Sequence, residues 1–318
     1  MNIIDTLTAG FDTVRRNPWL LLLPILLDVF LWLGPKLSIA PIVEETVVAF
    51  EEMQQTLNID PGLDATLAAM PEFDPTFLRE TAGRANLLSG LVWGVLGIPS
   101  VAATRLIAPT DPWIIELSDG YAAFGLLALI IIAGLFIATL YLALTGRAVR
   151  GDGEPFGKTI RALPRYALYI VMVLLPIVLV TAAAMGLSFL CGPFTFLLLG
   201  AALWLGLYLY FAPEAITMSH AEPLEAVRNS MILLRMSFWP TLGFILLCTI
   251  IGAGMSVIWQ NLLTSPLGIA VAIPINAFVG AGLTAATFIY YRERLSLWHS
   301  LVAQARAHSQ TEDSPGHD

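Results

Sequence analysis

The stretch 213–259, PEAITMSHAEPLEAVRNSMILLRMSFWPTLGFILLCTIIGAGMSVIW, decides the fold. Its first part is polar and amphipathic, and its second is an apolar run long enough to cross a membrane. Pro223 suits the first position of a helix. Leu224, Val227, Met231, Leu234 and Phe238 then recur at helical spacing, with Glu225, Arg228, Asn229 and Arg235 opposite. That is a helix with one apolar stripe, expected to lie flat on the cytoplasmic face with the stripe toward membrane or bundle. Trp239 marks entry into lipid, where amphipathic rings are favoured. A span over about 239–259 follows.

The same order of parts occurs at the N-terminus. A shift of 220 lays Ile4, Leu7, Phe11 and Val14 on Leu224, Val227, Met231 and Leu234, Asp5 on Glu225, Arg15 on Arg235, and Trp19 on Trp239. A third, looser copy begins at Glu154-Pro155-Phe156, parallel to Glu222-Pro223-Leu224. The unit is an inner-face amphipathic helix followed by a two-span hairpin. A unit with two spans starts and ends on one side, so successive units share an orientation, unlike the inverted repeats of many transporters.

Composition agrees. Of 318 residues 57% are hydrophobic and 13% charged, about half the charge of a soluble domain, and the mean hydropathy is +0.77. Apolar runs of about 20 residues indicate spanning helices, and the alternating ten-residue segments of a barrel are absent. The net charge of −8 arises entirely in 36–119, where twelve acids face four bases. No basic face for nucleic acid exists.

The expected fold is all-α and polytopic, with six transmembrane helices as three hairpin repeats. Residues 1–35 hold the first amphipathic helix and first span, starting at Trp19. Residues 36–119 form an acidic extracytoplasmic subdomain with amphipathic helices, residues 120–295 hold spans two to six, and 296–318 are a polar cytoplasmic tail. The later spans are expected near 121–145, 166–190, 194–217, 239–259 and 267–291. The apolar stretch 86–104 is expected to lie on, or dip into, the outer leaflet. Were it a span, Arg147, Arg150, Lys158, Arg161 and Arg165 would fall outside, against the positive-inside rule. With six spans and both termini inside, twelve of the sixteen bases are cytoplasmic. A cleaved signal peptide fits poorly, because two acids precede the first run and Pro41 would follow the cut.

The pair Pro213-Glu214, the helix Glu225-Ala226-Val227-Arg228-Asn229-Ser230 and the aromatic entry Phe238-Trp239 together resemble a broad, poorly characterised bacterial family of multi-span membrane proteins. Its relatives include the membrane domain fused to some glycerophosphodiester phosphodiesterases. The resemblance covers 200–295 best. It implies a helical membrane fold in a bacterial inner membrane more than any activity, and the long acidic outer loop departs from the compact members.

Candidate sites are few. Asp28 falls nine residues after Trp19, roughly 14 Å deep at helical rise. An intramembrane carboxyl is either functional or a hydrogen-bonded tie between spans. Asn276 is a weaker case, beside a small-residue face. Glu214 is expected at the inner mouth of the fourth span, paired with Arg228 or Arg235 or holding the cytoplasmic helix. Arg15, Arg161, Arg228 and Arg235 are read as a ring able to meet anionic lipid heads, or as ordinary anchoring. The four histidines and two cysteines lack metal-ligand spacing, no disulfide is expected, and no nucleotide-loop, serine-hydrolase or metalloprotease motif occurs.

These features point to a non-enzymatic scaffold or accessory subunit that organises lipid or partner proteins. It would need no cofactor and would meet a protein partner through 36–119. The alternative is a transport component with a polar path near Asp28 and Asn276.

Overall fold

A computed structural model describes residues 2–57, 75–92, 97–104, 113–151, 157, 162–174, 181, 194–219 and 221–312. These are helical almost throughout, the exception being a short parallel ladder of β1 (Lys36–Ser38) and β2 (Ile114–Glu116). The helices are α1 (Ile3–Arg16), α2 (Leu22–Leu33), α3 (Ala40–Leu57), α4 (Pro75–Arg84), α5 (Val101–Thr104), α6 (Gly120–Arg150), α7 (Ala162–Tyr169), α8 (Phe194–Leu209), α9 (Ala212–Ser219), α10 (Pro223–Met236), α11 (Phe238–Leu262) and α12 (Pro266–Glu312).

Four helical stretches are long and apolar enough to span: Gly120–Arg150, Phe196–Ser219, Phe238–Leu262 and Pro266–Gln304. They coincide with the second, fourth, fifth and sixth expected spans. Most of the third lies outside the described residues. A fifth crossing exists if α1 and the stretch Pro18–Leu33, bent by 92° at Asn17, are one broken span. The expectation of a first span starting at Trp19 is corrected here. Helix α2 has twelve residues, or about 18 Å, too short for a hydrocarbon core of about 30 Å.

Helix α6 runs parallel to α12, with Gly146 against Phe288. Helices α11 and α12 form an antiparallel hairpin. It is tied near the turn by Trp259 Nε1 donating to Asn276 Oδ1 (2.9 Å) and at the far end by Thr241 and Tyr290 hydroxyls 3.0 Å apart. At that far end α12 supplies Arg292, which donates to the carbonyl of Val149 (2.7 Å), and α6 supplies Arg150, which donates to the carbonyl of Thr217 (3.1 Å). Cations thus cap the carbonyl ends of neighbouring helices, where the helix dipole favours them.

Helix α1 departs from the sequence reading. It does not lie flat across the end of the bundle but runs lengthwise and antiparallel along α12. Ile3 touches the position of Gly243, Gly10 meets Gly282 and Ala286, and Phe11 stacks near Phe278. The stripe is shifted as well. Ile4 and Leu224 are 67% and 79% exposed, and the buried faces are Thr6, Gly10 and Val14 in α1 and Ala226, Ser230 and Leu234 in α10. The reason is contact distance. Between apolar helices in lipid, large side chains gain little by leaving the lipid, whereas small residues let backbones approach. Of the expected stripes Leu7, Val14 and Leu234 are buried, and Ile4 and Leu224 turn away from the protein.

Helices α1 and α10 are related residue by residue. Both bounds are offset by 220, and the caps share backbone angles: Asn2 (φ −74°, ψ 158°) with Glu222 (−69°, 158°), and Asn17 (−127°, 62°) with Ser237 (−136°, 47°). Their buried positions named above coincide under the same shift.

Helices α3 and α4 are joined by Arg79, which bridges Glu44 (2.8 Å) and Glu51 (3.3 Å). Lys36 beside them donates to the carbonyl of Gly83. The segment from Leu87 onward leaves this pair and enters the bundle.

Two outcomes test this packing. A Cβ on Gly10 would stand 2.5 Å from the Gly282 carbonyl and 2.7 Å from the Ala286 backbone nitrogen, whereas Gly125 faces open space. Gly10→Ala is expected to lower stability by about 1–3 kcal/mol in thermal unfolding, the usual cost of overpacking, with Gly125→Ala neutral or slightly stabilising. The second concerns pH. The hydrogen bond and charge of Arg79 hold the Glu44 carboxyl below its ordinary value. A lowered folded pKa stabilises above the unfolded pKa of about 4.3 and ceases to do so as pH falls through the folded value. The difference in melting temperature between wild type and Arg79→Gln should therefore be small at neutral pH, because the pair is exposed, begin to shrink below about pH 4.3, and vanish once pH falls below the lowered folded value.

Candidate functional site: a re-entrant hairpin and the Glu214 cavity

Residues 87–92 and 97–104 form two limbs packed in the bundle. The first limb, the 3-10 turn Leu87–Val92, packs on α6, with the Leu91 carbonyl against Gly134. Gly97 then adopts φ +75° beside Leu142. That residue is 22 positions along α6 from Gly120, or roughly 33 Å at helical rise. The left-handed angle needs glycine. The returning limb places Pro99 in the notch of Gly280 and Val101 against Trp259 and Ala272, back toward the turn between α11 and α12. The sequence reading left 86–104 lying on or dipping into the outer leaflet; its described residues pack against α6, α11 and α12.

Irregular backbone inside an apolar bundle needs partners for its N–H groups. Asp28 supplies them. It is fully buried on α2, and its carboxylate accepts from the Ser100 hydroxyl, the Val101 N–H (3.0 Å) and the Ala102 N–H (3.4 Å). Asn276 is likewise occupied by Trp259. Both side chains tie elements together.

The polar space lies at the hairpin tip. A cavity of about 450 Å³ is lined by Gly97, Leu142, Tyr166, Tyr210, Pro213, Glu214, Cys248, Thr249, Leu283, Thr284 and Thr287. Glu214 projects from the first turn of α9. A ring stack fixes that helix: Phe244 lies 4.4 Å from Tyr290, and Tyr290 lies 5.7 Å from Phe211. Phe211 N–H also donates to Ser230 Oγ (3.1 Å), which docks α10 beneath. Glu214 is only 6% exposed, and its Oε2 has no hydrogen-bond partner among the described residues. The expected pairing with Arg228 or Arg235 does not occur, since those side chains are exposed on α10.

The threonine hydroxyls of this wall are already committed as donors. Thr249 donates to the Ile245 carbonyl, Thr284 to Gly280 and Thr287 to Thr284, at 2.7–2.9 Å. Their oxygens remain as acceptors. Among the described lining residues Glu214 is the only charged group, and the Tyr166 and Tyr210 hydroxyls and the Cys248 thiol add donors beside these acceptors.

The arginines do not gather into a ring. Arg15 follows the Phe11–Phe278 contact and pairs with Asp12 (3.3 Å), while Asn229, next to Arg228, lines a groove with Arg294 and Trp298. Positions 278 and 294 are roughly 24 Å apart along α12. Arg161 lies outside the described residues, as does Cys191. Among the described residues no group of three or more His, Cys, Asp or Glu side chains could hold a metal. Sequence reasoning named Glu214 but missed the cavity, whose one local signal is the Gly97-Ile98-Pro99 turn in an apolar run.

No protein-family model, curated protein or solved structure matches the chain.

Removing the carboxylate that holds the hairpin should be costly. Asp28→Ala removes the acceptor of three hydrogen bonds, each worth about 1–3 kcal/mol when it is to a charged group. It is expected to lower the melting temperature and the membrane-inserted yield markedly, and Asp28→Asn to do so less, since its amide oxygen can still accept.

Proposed function

We propose that the protein is a membrane transport component that admits a small polar solute to the Glu214 cavity. One observation carries this reading: the tip of a re-entrant hairpin meets a cavity holding a buried carboxyl oxygen without a partner. Irregular backbone at depth is tolerated where it is packed in protein or borders an aqueous cavity, and a buried acid in a spanning bundle is a functional feature by default. The polar path therefore belongs at Glu214, with Asp28 and Asn276 in supporting roles. A non-enzymatic role suits a wall with one charged group and no nucleophile–base pair among its described residues.

The architecture that accompanies this reading is six spans in three hairpin units, with both termini cytoplasmic in a bacterial inner membrane. The offset of 220 between α1 and α10 supports the repetition. The antiparallel course of α1 supports the topology, because its start lies level with Tyr290, on the side where α12 continues to Glu312. The family resemblance carried by Pro213-Glu214 and the α10 pattern fits the same picture. The scaffold reading stands second. It is favoured by Trp113, Ile114 and Ile115, apolar and exposed on and beside β2 in the outer region.

Cys248 reports on the cavity directly. In a Cys191→Ser background, a small water-soluble thiol reagent is expected to label Cys248, while a cysteine placed at lipid-facing Ile250 stays unlabelled. Failure to label Cys248 in folded protein would remove the aqueous cavity and the transport reading with it.

A further inference from the structure

We infer that the Glu214 cavity binds a small organic ammonium ion, a primary alkylamine in its charged form. This inference rests on the reading of the cavity as an aqueous solute site. Three features select the ligand. The first is charge: Glu214 supplies the one carboxylate among the described lining residues, and the Thr249 and Thr284 oxygens beside it can accept. A solute that brings N–H donors and positive charge satisfies that carboxylate, whereas an anion is repelled by it.

The second is the number of charges. Glu214 stands alone among the described lining residues, and no metal-holding cluster of acids, histidines or cysteines accompanies it. Divalent cations such as calcium take six to eight oxygen ligands, several of them carboxylate. One carboxylate matches one positive charge. The third is size and surface. A volume of about 450 Å³ exceeds the needs of a bare monovalent ion and falls within the range of small-molecule pockets. Leu142, Leu283, Tyr166 and Tyr210 line the rest. They offer apolar surface for an alkyl chain and aromatic faces that attract a cation.

The geometry places the ammonium group at the Glu214 carboxylate where it lines the cavity, beside Thr284 and Thr287 on α12, with the alkyl chain toward Leu142 and Leu283.

The test uses the full chain in lipid nanodiscs with butylammonium chloride as probe, and sodium chloride, calcium chloride and 1-butanol as comparisons. Butylammonium should raise the melting temperature and slow the labelling of Cys248, and the three comparisons should do neither. Glu214→Gln should weaken butylammonium binding by about tenfold or more, and Glu214→Asp by less. If Glu214→Gln does not fold, protection of Cys248 in the wild-type protein decides the matter alone. Equal protection by butanol or calcium, or equal binding by Glu214→Gln, would overturn the assignment. Labelling of Cys248 with no protection by butylammonium overturns this inference while leaving the aqueous cavity intact. Absence of labelling overturns both.

Discussion

A chain that turns back inside an apolar bundle must satisfy backbone N–H groups that no helix ladder serves. Asp28 meets that requirement here by accepting from Ser100, Val101 and Ala102. Much of the architecture follows from it. The carboxylate must come from an element that reaches the hairpin laterally, and α2 does so because the chain bends by 92° at Asn17. That bend in turn depends on α1 lying tight against α12, and Gly10 against Gly282 allows the approach. A glycine contact, a sharp break and a buried acid form one mechanical chain ending at Gly97, the tip of the hairpin.

Helices α1 and α10, alike in length, cap angles and buried positions, show how one local structure serves two purposes. The shared cap angles and buried positions mean that local sequence sets the helix and its break. What differs is the residue at the centre of the buried face. Gly10 lets α1 press against a backbone, while Ser230 at the matching position places a hydroxyl where the Phe211 N–H can donate to it. Helix α1 becomes part of the bundle wall. Helix α10 holds α9, and with it Glu214, at the end of the ring stack of Phe211, Tyr290 and Phe244.

The long apolar helices were legible in the sequence because hydropathy over about 20 residues reflects the bilayer directly. The break at Asn17-Pro18 was legible from proline, and the helix before it from its charged face. Its partner was not legible. A period of 3.6 residues separates a polar side from an apolar one, but it does not say whether the apolar side meets lipid or protein, and in lipid small residues carry the contact. Asp28 and Glu214 were both visible as acids in apolar surroundings. Sequence could not rank them, because the difference lies in whether distant donors, 72 to 74 residues away for Asp28, have already been supplied.

That difference divides the two acids by role. A carboxylate that accepts three hydrogen bonds from one strap of backbone has its acceptor capacity largely taken up, so a solute arriving there would have to displace the fold. Glu214 sits at the other extreme: its helix is fixed by rings and by Ser230, it lines the cavity, and its Oε2 has no hydrogen-bond partner among the described residues. The rigidity of α9 matters to this, because a carboxyl on a loose segment would swing to find a donor within its own chain. The stack on Tyr290 and the bond from Phe211 to Ser230 prevent that relaxation. They keep the acceptor presented toward the tip of the hairpin that Asp28 holds in place from its opposite limb.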